Sequence, residues 1–298
     1  MRHEFVSQDT VVLRAVTHLY GRQLAVDAVD LNLRAGECIG LVGHNGAGKS
    51  TLIKMMLGLI RPTSGSVQVL GEDPSAGAAA AARRELGYLP ENVALHPSLT
   101  GAETLAFYAR LKGQPVAGNI ALLDRVGIAA AAHRRVETYS KGMRQRLGLA
   151  QALLGKPRAL LLDEPTTGLD PALRQSFYEI IADLRREGAT ILLSSHALAE
   201  LEGQVDRVVV MNRGRKVADG GVAELRRLAA IQPRIRCRLV GQSRPDGWAP
   251  APDGRLERVC DEDEVGVLLR ELPESAQEIE ILRPTLDELY AQFQKGAE

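Results

Sequence analysis

Cysteine, excess charge of one sign and long apolar runs are all scarce in this chain. Its three cysteines, Cys38, Cys237 and Cys260, stand far apart without C-x-x-C spacing. That pattern offers no disulfide framework and no zinc site, so ordinary thiols in a reducing compartment are expected. Lys plus Arg and Asp plus Glu number 37 each, so the net charge is zero and nothing points to nucleic acid as a partner. No apolar run approaches the ~20 residues needed to span a bilayer. The start, Met1-Arg2-His3-Glu4-Phe5, lacks a positive-then-apolar signal pattern. A cytoplasmic chain is expected, meeting any membrane through a partner. Internal repeats and coiled-coil heptads are missing as well.

What is present is ample core material, 45 % hydrophobic residues in 298. The length suits one large domain and a smaller one. Over the first two hundred residues, apolar strand-like runs alternate with helical patterns, as in a parallel sheet covered by helices. Glu37 to Val42 reads as a buried strand entering a glycine loop, and Lys49 to Leu59 as a helix broken by Arg61-Pro62-Thr63-Ser64-Gly65. Ala159–Leu162, Thr190–Leu193 and Val208–Met211 are continuous apolar runs, the pattern of strands buried on both faces. Ala76 to Ala82 is alanine-rich and reads as a surface helix end. Residues from about 88 to 156 read as a helical subdomain inserted in the sheet. The main domain is expected over 1–219 and a small α+β domain over 220–298. In the latter, Arg234–Leu239 and Glu278–Leu282 read as strands, Ser243 to Gly254 as a loop, and Asp263 to Leu272 as a helix. Thr285 with Glu288 offers a capping box for a last helix. A unit this small should lean on its neighbour or on its own copy.

The chemistry concentrates in three stretches. Gly43-His44-Asn45-Gly46-Ala47-Gly48-Lys49-Ser50, followed by Thr51, fits the G-x-x-x-x-G-K-[ST] phosphate loop. Its glycines let successive backbone N–H groups face a phosphate, and the following helix adds its positive end. Lys49 brings a mobile charge for β- and γ-phosphates, and the Ser50 hydroxyl is placed for Mg²⁺. His44 fills a variable position. In Leu160-Leu161-Leu162-Asp163-Glu164-Pro165, Asp163 ends a buried strand within reach of Mg²⁺ through water. Strand alternation would turn Glu164 the other way, toward an attacking water as general base. The third stretch, Tyr139-Ser140-Lys141-Gly142-Met143-Arg144-Gln145-Arg146, precedes the acidic pair.

That order resembles the nucleotide-binding domain of ABC (ATP-binding cassette) proteins, a P-loop NTPase fold with mixed sheet, helices and a helical subdomain. The resemblance implies ATP and Mg²⁺ as ligands and a homodimer closed around two ATP molecules. It implies that Ser140 and Gly142 cap ATP bound to the opposite subunit, although Lys141 and Met143 depart from the commonest Leu-Ser-Gly-Gly-Gln form. Gly168-Leu169-Asp170 matches the interface-crossing turn, His196 the γ-phosphate switch, and Tyr20 the aromatic that stacks on adenine. Glu91 stands where the family has Gln, so a carboxylate replaces an amide as Mg²⁺ ligand.

Within the family, residues 43–49, 88–93 and 138–155 are similar to the ATPase subunits of transporters that mature nitrous oxide reductase. That finer likeness implies an integral membrane permease, a periplasmic accessory protein and copper-site assembly, at the inner face of the cell membrane. The Cys, Met and His residues form no soft-ligand cluster, so copper handling would fall to partner subunits. The stretch from Glu91 to Tyr108, with Val93, Leu95, Leu99, Phe107 and Tyr108, reads as the permease seat or equally as helical core. A generic exporter or a soluble ABC ATPase are the alternatives, although tandem cassettes and a long coiled coil are missing. A GTPase would need Asn-Lys-x-Asp, and intact Glu164 and His196 argue against a module that never hydrolyses.

Overall fold

The computed structural model describes residues 9–229, 231–239, 244–273 and 275–295. The opening segment through Phe5 and Ser243 of the expected loop lie outside them. The chain divides into two compact units after Gly221. In the first, β1 (Asp9–Tyr20) and β2 (Gln23–Arg34) form a hairpin, followed by β3 (Cys38–Val42) and α1 (Lys49–Met56). Then come β4 (Ser64–Val69), α2 (Ala80–Arg84), β5 (Leu86–Leu89), α3 (Gly101–Leu111), α4 (Asn119–Arg125) and α5 (Lys141–Ala152). The unit ends with β6 (Ala159–Leu162), α6 (Pro171–Arg186), β7 (Thr190–Ser195), β8 (Arg207–Asn212) and β9 (Arg215–Gly220).

These strands make two sheets. One is antiparallel, in the order β2-β1-β4; the other has six strands in the order β5-β6-β7-β3-β8-β9. In the second sheet every pairing is parallel except β8 with β9. Strands β3, β6 and β7 are buried along their whole length, which is why they read as unbroken apolar runs. β1 and β2 alternate instead, with buried Val11, Leu13, Val26 and Leu31 joining Ile39, Leu41, Ile53 and Met56 in one core. That shared core fastens both sheets to α1.

The helix after the phosphate loop stops earlier than the periodicity predicts. Gly58 takes φ +70°, and a Cβ there would meet the Pro74 carbonyl oxygen at 2.0 Å, so the chain must turn away at that point. The alanine run begins as a 3₁₀ turn, Gly77–Ala79, before α2. Between β5 and β6 the chain leaves the sheet through α3, α4 and α5 and returns to the adjacent position, Leu86 pairing with Ala159. α3 starts at a capping box in which Thr100 and Glu103 exchange backbone and side-chain bonds.

The second unit contains α7 (Val222–Leu228), β10 (Arg234–Leu239), β11 (Ala249–Pro250), β12 (Leu256–Val259), α8 (Val265–Glu271), β13 (Ala276–Leu282) and α9 (Leu286–Lys295). Its antiparallel sheet has the order β11-β12-β10-β13 over a core of Ile235, Cys237, Trp248, Cys260, Val265 and Leu268. The expected loop thus carries β11, and the expected helix begins as a 3₁₀ turn capped by Asp261 and Glu264. Glu288 accepts from the Thr285 backbone N–H at 2.8 Å, and Thr285 Oγ1 accepts from the Glu288 N–H at 3.2 Å, which opens α9. Among the described residues, no helix is long and apolar enough to cross a membrane.

Candidate functional site

Four segments meet at the C-terminal ends of neighbouring parallel strands. β3 leads into the glycine loop, β6 into Asp163 and Glu164, and β7 into His196; β5 leads toward Glu91. In the loop, Gly48 has φ +102°, and a Cβ there would lie 2.7 Å from the Ala25 carbonyl oxygen, so only glycine lets α1 start at this depth. No side chain caps α1. Its first N–H groups therefore face the cavity with the helix's positive end. The His44 ring ties the loop down, its Nδ1 2.7 Å from the Asn45 carbonyl oxygen and its Nε2 3.1 Å from Asn212 Oδ1.

Lys49 is 6 % exposed, and its ammonium donates to the Gly43 carbonyl at 2.6 Å. The same nitrogen lies 3.1 Å from Glu164 Oε1. The other carboxylate oxygen of Glu164, Oε2, is 2.8 Å from His196 Nδ1 and accepts from Thr167 Oγ1 at 3.3 Å. Ser194 stitches the acidic pair to β7. Its Oγ donates to Asp163 Oδ1 at 2.7 Å and accepts the Glu164 backbone N–H at 2.8 Å. These short bonds hold two adjacent carboxylates in different surroundings, one beside a hydroxyl and one between a lysine and a histidine.

The reason Glu164 points where it does differs from the expectation. β6 ends at Leu162, and Glu164 adopts φ +47°, so strand alternation does not operate there. A left-handed turn aims the side chain, a strained conformation for a non-glycine residue and one that collects at functional sites. The Ser194 bond to its N–H and the packing of Pro165 against α5, where Gln145 Nε2 donates to the Pro165 carbonyl at 3.1 Å, hold that turn.

A cavity of about 380 Å³ opens over the loop, lined by His44 to Thr51, Tyr20, Glu91 and Glu164. Gln23, Leu24 and Ala25 of β2 complete its wall. Tyr20 is exposed at its mouth and packs edge-on against His18, with ring centroids 4.6 Å apart. Gly43, Asp163 and His196 border the loop without lining this cavity. Ser140, Gly142 and Asp170 are not brought to it at all. Ser140 and Asp170 are exposed N-caps of α5 and α6, accepting the Met143 N–H at 3.2 Å and the Leu173 N–H at 2.9 Å. Ser194, Thr167 and Gln145 were not singled out from sequence. Serine inside a buried apolar strand was the available signal for the first.

The donor set suits the expected ligands. The anion cradle of glycine N–H groups, helix end and lysine fits a triphosphate. The Ser50 hydroxyl and the buried Asp163 carboxylate offer hard oxygens, and Mg²⁺ needs few such protein ligands beside phosphate and water.

The model of the ABC transporter family matches residues 26–167, spanning the cradle and the acidic pair. The Nod factor export ATP-binding protein I of Burkholderia orbicola is 38 % identical over 237 residues, 78 % of this chain and 76 % of that protein. The uncharacterized ABC transporter ATP-binding protein YxlF of Bacillus subtilis is 41 % identical over 213 residues, 70 % of this chain and 69 % of that protein. A solved ATP-binding subunit of an ABC transporter superposes with a TM-score of 0.68 at 32 % identity, over 74 % of this chain and 92 % of that one. With most of both chains matched at such identity, this protein belongs to the ABC transporter family as an ATP-binding, ATP-hydrolysing subunit.

Proposed function

We propose that two copies of this chain close around two ATP molecules and drive an export permease in the membrane, working from its cytoplasmic side. The observation that carries this reading is the separation of Ser140 and Asp170 from the cavity holding Lys49, although both are exposed at helix starts. A serine-led helix end that meets no nucleotide in its own chain is free to meet the partner's.

On this reading the Gly43–Thr51 loop holds the phosphates, Tyr20 stacks on the base, and Ser50, Asp163 and Glu91 hold Mg²⁺. When bound, the ion neutralises charge on the β- and γ-phosphate oxygens. In the resting site Lys49 leans on Glu164 at 3.1 Å. Phosphate oxygens compete for that ammonium and free the carboxylate. Glu164 then accepts a proton from a water whose oxygen bonds to the γ-phosphorus as the bridge to ADP breaks. His196 Nδ1, 2.8 Å from Glu164 Oε2, orients that carboxylate and reports on the γ-phosphate. Loss of products reopens the dimer, so closure follows from the ligand's preference for the closed form.

Phe107 on α3 is exposed, Val93, Leu95 and Leu99 in the segment before α3 are half-buried, and this stretch is the seat assigned to the permease. Export is favoured by what the Burkholderia relative is named for. Copper-site maturation with a periplasmic accessory protein is the finer alternative and rests on segment likeness alone.

The test is Glu164→Gln. Turnover should fall by roughly 10²–10⁴-fold, the scale of a lost general base. With ATP the variant should elute as a dimer, and adding Ser140→Ala should return it to monomer. Normal turnover in Glu164→Gln, or a dimer indifferent to Ser140, would remove the reading.

A further inference from the structure

The loop after His196 is tied to the turn before Asp170 through a carboxylate. Glu200 sits in the 3₁₀ turn Leu198–Leu201, a few residues beyond His196. Its Oε2 accepts from Thr166 Oγ1 at 3.1 Å, and its Oε1 lies 2.9 Å from Arg174 Nη1. Thr166 is 5 % exposed and follows Glu164-Pro165 directly; Arg174 is in the first turns of α6, whose N-cap is Asp170. The Tyr178 hydroxyl is buried against the same cluster and approaches Thr166 without completing a hydrogen bond. Burial first, and the Glu200 charge second, push that phenol up to about 12. It therefore stays a donor over the working pH range.

The neighbouring joints are stiff. Ser195 Oγ holds both backbone polar groups of Ala197, donating to its carbonyl at 3.1 Å and accepting its N–H at 3.0 Å, which fixes the chain as it leaves β7. On the other side, the Leu169 N–H donates to the Thr166 carbonyl at 3.1 Å, and the Arg174 N–H to the Asp170 carbonyl at 3.0 Å. The half-buried Glu200 carboxylate, with 19 % of its side chain exposed, thus joins two short rigid pieces outside the catalytic carboxylate, whose Glu164 Oε2 meets His196 and Thr167 on the cavity side. One piece carries His196 and the other carries Asp170. Among the bonds described at this site, Glu200 touches neither the glycine loop nor its cavity.

We infer that Glu200 is a positioning residue that makes the His196 loop and the Thr166–Asp170 turn move as one body. Nucleotide contact at His196 is thereby converted into placement of the turn assigned to the dimer interface. This rests on the two-copy reading and deepens it, adding how one chain's occupied site readies the surface it presents to its partner. Glu200 acts through its neighbours and is not a catalytic residue.

The test uses the full chain as Glu200→Ala and Glu200→Gln, with Thr166→Val for a double-mutant cycle. The lysine–phosphate contacts are untouched, so KM for ATP should stay within a few-fold of the wild type. Misplacement of a reacting assembly costs up to about 100-fold, and kcat of Glu200→Ala should fall toward that scale. Glu200→Gln keeps the acceptor for Thr166 and should fall less. Loss of Glu200 and of Thr166 should not add, because both cut the same tie. In the Glu164→Gln background, Glu200→Ala should raise the ATP concentration needed for dimerisation. Rates are compared below each variant's melting temperature, so that simple unfolding is set aside; a Glu200→Ala chain that does not fold leaves Glu200→Gln and Thr166→Val to decide. A rise in KM with kcat preserved, additive effects, or dimerisation at the wild-type ATP concentration overturns the coupling. Failure of the parent chain to hydrolyse ATP or to dimerise would instead sink the two-copy reading.

Discussion

At the scale of single residues, the site depends on which atoms share each charge. Glu91 is exposed on the cavity wall and presents a carboxylate to it. A carboxamide retains an oxygen ligand, though with weaker pull on a hard cation. Glu91→Gln should therefore keep ATP turnover while needing more Mg²⁺ for half-maximal rate, as a magnesium titration of phosphate release would measure. A variant with no turnover at saturating Mg²⁺ would mean that the negative charge itself is required. Lys49 and Ser50 stand where a phosphate loop constrains residue type at fixed positions, whereas Asp163 and Glu164 are read from the end of a buried strand and gain weight only beside that loop. Ser194 could not be picked out. Its role exists only once β6 and β7 lie side by side, and nothing local marks a serine as the partner of an aspartate thirty-one positions earlier. The turn at Glu164 was hidden for a related reason: alternation presumes that the strand continues, and here it stops two residues sooner.

At the scale of elements, continuous burial made β3, β6 and β7 readable in advance, since strands covered on both faces cannot alternate. The antiparallel sheet β2-β1-β4 was not foreseen, because β1 pairs with β4 across two intervening strands, a loop and a helix. Helix caps offer an independent handle on the region between β5 and β6. Thr100 accepts the Glu103 N–H at 3.2 Å, while Glu103 accepts the Thr100 N–H at 2.8 Å. Removing such a cap costs about 1 kcal/mol, so Thr100→Ala should lower the melting temperature at neutral pH. The Thr100 N–H, and then its hydroxyl, hold the Glu103 carboxyl below the usual carboxylate range. A lowered folded pKa gives stability that is present above the unfolded value and lost as pH falls through the folded one. The gap in melting temperature between Thr100→Ala and the parent should accordingly shrink below the ordinary glutamate range. A gap unchanged in acid would show that the carboxylate half of the box contributes nothing.

At the scale of the molecule, the two units have separate cores, and every residue lining the nucleotide cavity belongs to the first. A chain ended after Gly221 should bind ATP with nearly unchanged affinity, measurable with a fluorescent nucleotide. A marked loss would assign the second unit a part in forming the cradle. The break between units could be anticipated from the change of pattern near Gly220, where unbroken apolar runs give way to the charged alternation of Arg234–Leu239. The role of the second unit has no comparable signature in the sequence, whose strands there carry paired charges such as Arg236 with Glu257.

The helices between β5 and β6 depart from one strand and rejoin at the very next. Because the two strands run parallel, the attachment points sit at opposite ends of them: Leu89, where β5 stops, and Ala159, beside Leu86, where β6 starts. A flap hinged at diagonal corners of a panel twists rather than swings. Of the two corners, only the one at Leu89 opens toward the phosphate loop, with Glu91 just beyond it, so leverage applied at Phe107 would arrive there first.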